Sequence, residues 1–210
     1  TTHSAFANCH SHAFHRALRG RAVGGADFWG WRDGMYAVAE ALDPDLYFRL
    51  ARATYAEMAL AGIGAVGEFH YLHHGPGGTP YAGPHAMAEA LIAAARDVGV
   101  RICVLDTCYL RAGFSGEELA PAQRRFTHPD ADTWADGVRE LASRHAGEQD
   151  VVVGTAIHSV RAVDEASLPV VTAALPDAPL HVHVSEQPAE NDACLAATGR
   201  TPVQLLADAG

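Results

Sequence analysis

The sequence predicts an α/β fold built on a parallel sheet, and three observations support this prediction. Short apolar segments alternate with helical segments from end to end, in five units of roughly 40 residues each. The apolar segments carry few polar residues, as is typical of strands covered by helices on both faces. Titratable residues gather where these segments end. Periodicity leaves a barrel and an open doubly wound sheet as alternatives.

The five predicted strands are short, and the helices between them have recognisable boundaries. We expect strands at residues 5–9, 65–69, 100–105, 151–157 and 180–184. Asp43 followed by Pro44 is a typical helix start, and Gly62 ends that helix. Further helices are expected over residues 84–98, 133–146, 165–175 and 190–197, and from Pro202 onward. The Gly- and Trp-rich segment 27–32 and the Gly- and Pro-rich segment 73–80 are expected to be loops.

Composition limits the class of protein. A chain of 210 residues, 49% hydrophobic and 19% charged, can form one domain with a sizeable core. Its formal net charge of −10 lacks the basic footprint of proteins that bind nucleic acid or anionic membranes. No uncharged apolar stretch approaches the ~20 residues of a membrane span, and the N-terminus does not resemble a signal peptide. We therefore expect a soluble cytoplasmic protein, with four reduced cysteines that lack C-x-x-C spacing.

Polar side chains sit at the carboxyl ends of the predicted strands, which form the ligand-binding face of parallel α/β folds. They are His10, His12, His70, His158 and Glu186. With 13 histidines, chance alone gives about 0.8 H-x-H pairs, so the two pairs present are weak evidence by count. On an extended strand, however, residues i and i+2 point to one side, so His10 and His12 can face one ion. His183 could supply the third ligand of a zinc site.

Six segments carry a resemblance to a known family. The segment NCHSHAFHR at residues 8–16 resembles the metal-binding start of the amidohydrolase superfamily, whose members are metal-dependent (β/α)8 TIM barrels. Five further segments carry the resemblance, in order along the chain: FWGWR at 28–32, EFHYLHH at 68–74, QRRF at 123–126, IHSVRAV at 157–163 and HVHVSEQ at 181–187. Together they are similar to the members that hydrolyse N-formimino-L-glutamate to N-formyl-L-glutamate and ammonia in histidine degradation. The resemblance spans essentially the whole chain.

The resemblance implies a zinc site and a proton-transferring carboxylate. His10 and His12 would bind one Zn²⁺ after the first strand, and His183 would bind it from the fifth. Glu186 would move the proton during catalysis. Three imidazoles suit zinc, although iron, nickel and cobalt are chemically compatible.

The resemblance also implies a substrate-binding set. Its members would be His15, Arg32, Tyr71, His158 and Arg161. His15 departs from the family pattern, where glutamine occurs, so its assignment is the weakest of the five. Arg32 and Arg161 suit a substrate with two carboxylates, because a guanidinium binds a carboxylate through two parallel hydrogen bonds. No role is assigned to His70, His73 and His74, since loop histidines are more often solvated than catalytic.

The resemblance also indicates what is missing. A (β/α)8 barrel has eight strands and about 250 residues, so residues 1–210 are expected to be the N-terminal part of one, as a single incomplete domain. The family's histidine after the sixth strand and aspartate after the eighth would lie elsewhere. The family commonly forms homodimers. Alternative hypotheses are a deaminase of heterocycles such as cytosine, guanine or triazines, a metal-binding fragment without activity, and a purely structural α/β module.

Overall fold

Five parallel strands form one curved sheet in the computed structural model, which describes residues 4–21 and 28–209. The strands are β1 (Phe6–Ser11), β2 (Ile63–His70), β3 (Arg101–Cys108), β4 (Val151–Ile157) and β5 (Leu180–Val182). They pair in sequence order, from β1 to β5. A doubly wound sheet reverses its strand order at a switch point, whereas a barrel adds each strand to the same edge. The sequential order therefore decides between the two alternatives, and the predicted barrel type is confirmed as a half-barrel.

Helices cover the outside of this sheet. They are α1 (Phe28–Ala41), α2 (Pro44–Leu60), α3 (Ala86–Val98), α4 (Pro121–Arg124), α5 (Ala131–Arg144), α6 (Leu168–Ala174), α7 (Pro188–Thr198) and α8 (Pro202–Asp208). Short 3₁₀ turns occur at Ala13–Leu18, Pro76–Gly78 and Glu165–Ser167. The side chain of Asp43 accepts a hydrogen bond from the Leu46 amide at 2.7 Å, which caps α2 as predicted. None of the helices in the described ranges combines the length and apolarity that crossing a membrane requires.

Helix α1 corrects one sequence expectation. Residues 27–32 were predicted to be a loop, but Phe28 begins a helix that continues to Ala41, while Asp27 lies outside the described residues. Glycine in a helix costs roughly 1 kcal/mol relative to alanine, which is why Gly30 suggested a loop. Burial of apolar side chains such as Met35, which is 6% exposed, offsets that cost.

Side-chain alternation along β2 and β3 divides their residues between two layers. Phe69 contacts residues inside the curve of the sheet, whereas His70 stacks on Tyr47 of α2 on the helix-covered side. On β3, Asp106 likewise faces the helices, because it bonds to Trp134 of α5. Residues of odd number on these two strands thus face the inside of the half-barrel, and residues of even number face the helices.

Candidate metal centre and adjoining cavity

Three imidazole rings meet at the carboxyl end of the sheet, and we call them the mouth cluster: His10, His12 and His183. Their Nε2 atoms form a triangle with sides of 3.3 Å (His10–His12), 3.1 Å (His10–His183) and 3.2 Å (His12–His183). Nitrogen ligands at 2.0–2.1 Å from a tetrahedral zinc ion lie about 3.3 Å apart. The spacing of these three nitrogens and their chemistry therefore fit one divalent transition-metal ion.

Neighbouring groups orient the rings of the mouth cluster. The Phe69 ring stacks on His183 with centroids 4.1 Å apart, and lies 5.0 Å from His10 and 5.2 Å from His12. The Nδ1 atom of His12 shares a hydrogen bond of 3.1 Å with the Phe69 carbonyl oxygen. Nδ1 of His10 lies 3.2 Å from Nδ1 of His181. Contacts of this kind fix the ring orientation of metal-binding histidines and direct the opposite nitrogen towards the ion.

The mouth cluster consists of neutral imidazoles. Burial, reinforced by the charges of neighbouring histidines, lowers the pKa of His12 to about 2. Burial and the nearby His10 lower the pKa of His183 to about 4, and the pKa of His10 is lowered for similar reasons. The neutral ring is the form that binds metals.

A buried carboxyl group anchors the chain immediately after His12. Glu68 is fully buried, and its Oε1 accepts a hydrogen bond of 2.6 Å from the Ala13 amide. Burial raises the pKa of Glu68 to about 7. The motifs of the sequence do not single out Glu68. The signal in the sequence was an acidic residue inside an otherwise apolar strand, which indicates a specific partner for that carboxyl group.

A cavity of about 280 Å³ opens beside the mouth cluster. Eight of the nine predicted site residues line it, and the ninth, His10, adjoins it through His12. The structure therefore brings together residues that are up to 176 positions apart, from His10 to Glu186. Five further residues line this cavity without having been predicted to do so: Trp31, Met35, Tyr36, Tyr109 and Phe126. Of these, Tyr109 directly follows β3, so the strand-end rule could have found it.

Three of the predicted substrate-binding residues make side-chain contacts in this cavity. Nε2 of His15 lies 2.8 Å from the hydroxyl of Tyr71. Burial, with His183 nearby, lowers the pKa of His15 to about 3, so this ring is neutral and its charge does not change near neutral pH. His158 packs edge-on against Tyr109 with centroids 4.6 Å apart, and burial holds its pKa well below the ordinary value.

Charged residues lie at the boundary between this cavity and a second one of about 350 Å³. Arg32, Arg161 and Glu186 line both cavities. Nη1 of Arg161 donates a hydrogen bond of 2.8 Å to the Ala112 carbonyl oxygen. Glu186 is exposed and follows Ser185, whose φ of 56° lies in the left-handed region that non-glycine residues rarely adopt. This sharp turn separates Glu186 from the end of the sheet and places it at the rim.

Comparisons with known proteins show what this chain is similar to. The sequence matches the profile described as "Amidohydrolase family" over residues 4–209. It is 38% identical over 206 residues to formimidoylglutamate deiminase of Pseudomonas aeruginosa, covering 95% of this chain and 45% of that protein. An amidohydrolase structure from Brucella melitensis superposes with a TM-score of 0.91 at 40% identity, covering 99% of this chain and 47% of the other.

A more distant structure shares the fold. An atrazine chlorohydrolase from Arthrobacter aurescens, complexed with zinc, superposes with a TM-score of 0.82 at 22% identity, covering 99% of this chain and 46% of that one. The chain thus spans slightly less than half the length of the relatives it matches.

Proposed function

The chain belongs to the amidohydrolase family, and from this premise we propose that it catalyses the hydrolytic deimination of N-formimino-L-glutamate. The products are N-formyl-L-glutamate and ammonia, as in histidine degradation. Water adds its oxygen to the formimino carbon, and the carbon–nitrogen bond to the terminal nitrogen breaks. In this proposal, residues 1–210 are the N-terminal part of the barrel, and the full activity belongs to the whole protein.

The mouth cluster is the proposed zinc site. Family members are metal-dependent, and the spacing of 3.1–3.3 Å between the three Nε2 atoms supports one ion here. Zinc bound at such a site lowers the pKa of a coordinated water to about 7 and so supplies a nucleophile at neutral pH. His10, His12 and His183 would hold the ion, and the Phe69 ring and carbonyl group would keep two of these imidazoles in position.

Two arginines beside the mouth cluster are the single observation that carries the choice of substrate. Arg32 and Arg161 line the same cavity as His12 and His183. N-formimino-L-glutamate carries two carboxylates, and each guanidinium can bind one of them in the bidentate geometry that lysine lacks. A neutral heterocycle has no carboxylate for either guanidinium to bind, which argues against the alternative deaminase hypothesis.

The remaining residues are proposed to orient the substrate and move a proton. Glu186 at the cavity rim would take a proton from the attacking water through its carboxylate and deliver it to the departing nitrogen. The hydrogen-bonded pair of Tyr71 and His15 offers polar groups to the substrate. Neutral His158, which follows β4 and packs against Tyr71, offers another.

Ammonia release from N-formimino-L-glutamate by the zinc-loaded protein tests this proposal. A His183→Ala variant and a parallel assay with cytosine, guanine and an aminotriazine accompany it. Release from the formimino substrate that disappears in the variant is the expected result. Turnover of a heterocycle alone would replace this substrate with the alternative class, and zinc binding with no turnover of any substrate would favour a metal-binding protein without catalysis.

A further inference from the structure

A second group of metal-binding side chains lies on the helix-covered side of the sheet, and we call it the wall cluster: His70, His73 and Asp106. Each offers a ligand atom, and these atoms lie within 4.8 Å of one another. The three residues are only 1%, 8% and 4% exposed, so the general tendency of loop histidines to be solvated does not apply to His70 and His73. His70 and Asp106 are direct register partners on β2 and β3, which explains why they face the same layer.

We propose that the wall cluster binds a second divalent transition-metal ion of the zinc class, in a closed site that stabilises the fold. Two imidazoles and one carboxylate form a common ligand set for zinc. The site is separate from the mouth cluster, because its ligands point away from the inside of the half-barrel. The proposal does not depend on the substrate proposed above.

The hydrogen bonds around the wall cluster leave a ligand atom available on each side chain. Nε2 of His73 shares a bond of 3.0 Å with the Thr107 carbonyl oxygen, which leaves Nδ1. That Nδ1 lies 3.9 Å from Oδ2 of Asp106, too far for a hydrogen bond but consistent with two atoms that share a ligated ion. Trp134 donates to Oδ1 of Asp106 at 2.8 Å and leaves Oδ2. Nδ1 of His70 is buried without a hydrogen-bond partner in the described part of the chain.

Charge balance supports an ion at this position. Asp106 is only 4% exposed, and no lysine or arginine of the described residues lies within salt-bridge distance of its carboxyl group. A buried carboxylate without a countercharge is costly. A divalent cation supplies that countercharge, and neutral imidazoles are the form that binds it.

The surroundings provide both a further donor and an access route. His128 packs edge-on against His73 with centroids 4.5 Å apart, and its Nδ1 is also buried without a hydrogen-bond partner among the described residues. His128 lies outside the group of three, and a movement of its side chain would be needed for it to complete a four-coordinate site, the usual arrangement of structural zinc. A cavity of about 180 Å³ is lined by His73, Asp106 and His128, and it gives an ion a path from the surface.

Metal content of the zinc-loaded, gel-filtered protein tests the proposal in a background without the mouth cluster. The His10→Ala/His12→Ala variant is expected to retain about one zinc per chain, against about two in the unaltered protein. Adding Asp106→Asn should remove the remaining zinc. A chelator should lower the melting temperature of the double variant by about 5 °C or more, and should not change that of the triple variant.

A matched control guards against general effects of removing a buried polar group. His145 belongs to neither cluster and bonds to Glu148 at 2.7 Å, so His145→Gln in the double-variant background should leave the metal content unchanged. The proposal is overturned if the double variant retains no zinc, or if Asp106→Asn leaves its zinc in place. Should the double variant fail to fold, Asp106→Asn alone decides the matter, since it must lower the zinc content of the otherwise unaltered protein from about two to about one.

Discussion

The mouth cluster and the wall cluster lie on opposite sides of the sheet, and neighbouring residues of β2 contribute to the surroundings of both. Phe69 of β2 supports the mouth cluster, and His70, the next residue, belongs to the wall cluster. The mouth cluster is partly accessible and adjoins a cavity with two arginines. The wall cluster is closed in by helices and adjoins a cavity of only about 180 Å³. Similar ligand types thus acquire different roles from their surroundings: open positions and nearby charges favour a reaction, and burial favours stabilisation of the fold.

Altering one ligand in each cluster tests whether the two clusters have separate effects on activity and on stability. We expect His183→Ala to reduce deimination by about 1000-fold or more, because the reaction loses its metal site. The same change should alter the melting temperature little. Asp106→Asn should do the reverse, with a clear loss of thermal stability and a much smaller loss of activity per folded molecule. Steady-state kinetics and thermal unfolding of both variants check this, and equal losses of activity would show that the two clusters act as one site.

Arg32 and Arg161 lie beside the mouth cluster and are the proposed substrate-binding cations. The Arg161→Lys variant tests the contribution of Arg161 to substrate binding. Lysine keeps the charge but cannot form two parallel hydrogen bonds to a carboxylate. We expect KM for N-formimino-L-glutamate to rise about 10- to 100-fold, while kcat changes less. Arg139→Lys, on the exposed face of α5, is the matched control. An unchanged KM would mean that Arg161 contacts no substrate carboxylate.

Trp134 tests the wall cluster without altering a ligand. Trp134→Phe removes the 2.8 Å hydrogen bond to Asp106 and leaves that buried oxygen without its donor. We expect the free energy of unfolding to fall by about 1–3 kcal/mol. Denaturant unfolding measures this fall. If Asp106 also holds an ion, the zinc affinity of the wall cluster should decrease as well, whereas activity per folded molecule should remain close to normal.

Sequence reasoning reached the mouth cluster but not the wall cluster, and the physical reasons differ. Strand ends and ordered motifs identify residues such as His12 and Arg161, because parallel strands bring their carboxyl ends to one face. His70 and Asp106 become neighbours only through the register of β2 against β3, which no local pattern specifies. Helix α1 was missed because its glycines suggest a loop, and only burial against the core compensates for them.

The two cysteines of β3 lie on opposite faces of the sheet and should differ in their reactivity towards alkylating reagents. Cys103 has an odd number and faces the inside of the half-barrel, where it is partly buried and lines a cavity of about 310 Å³. Cys108 has an even number and is fully buried on the helix side. Burial raises the pKa of Cys103 to about 11, and raises that of Cys108 further. Both thiols should therefore resist alkylation at neutral pH, since the thiolate is the reactive form.

The pH dependence of alkylation then separates the two faces. A raised thiol pKa favours the neutral form, so the rate at Cys103 should keep rising through pH 9 and increase about 100-fold between pH 8 and 10. A thiol with an ordinary pKa of about 8.5 would level off near pH 9. Cys108 should stay unmodified over the same range until the protein unfolds, because the packing around it excludes the reagent. Peptide mapping by mass spectrometry after timed iodoacetamide treatment measures both rates. Levelling off at Cys103 would contradict its raised pKa, and equal rates at the two cysteines would contradict the assignment of these side chains to opposite layers of the sheet.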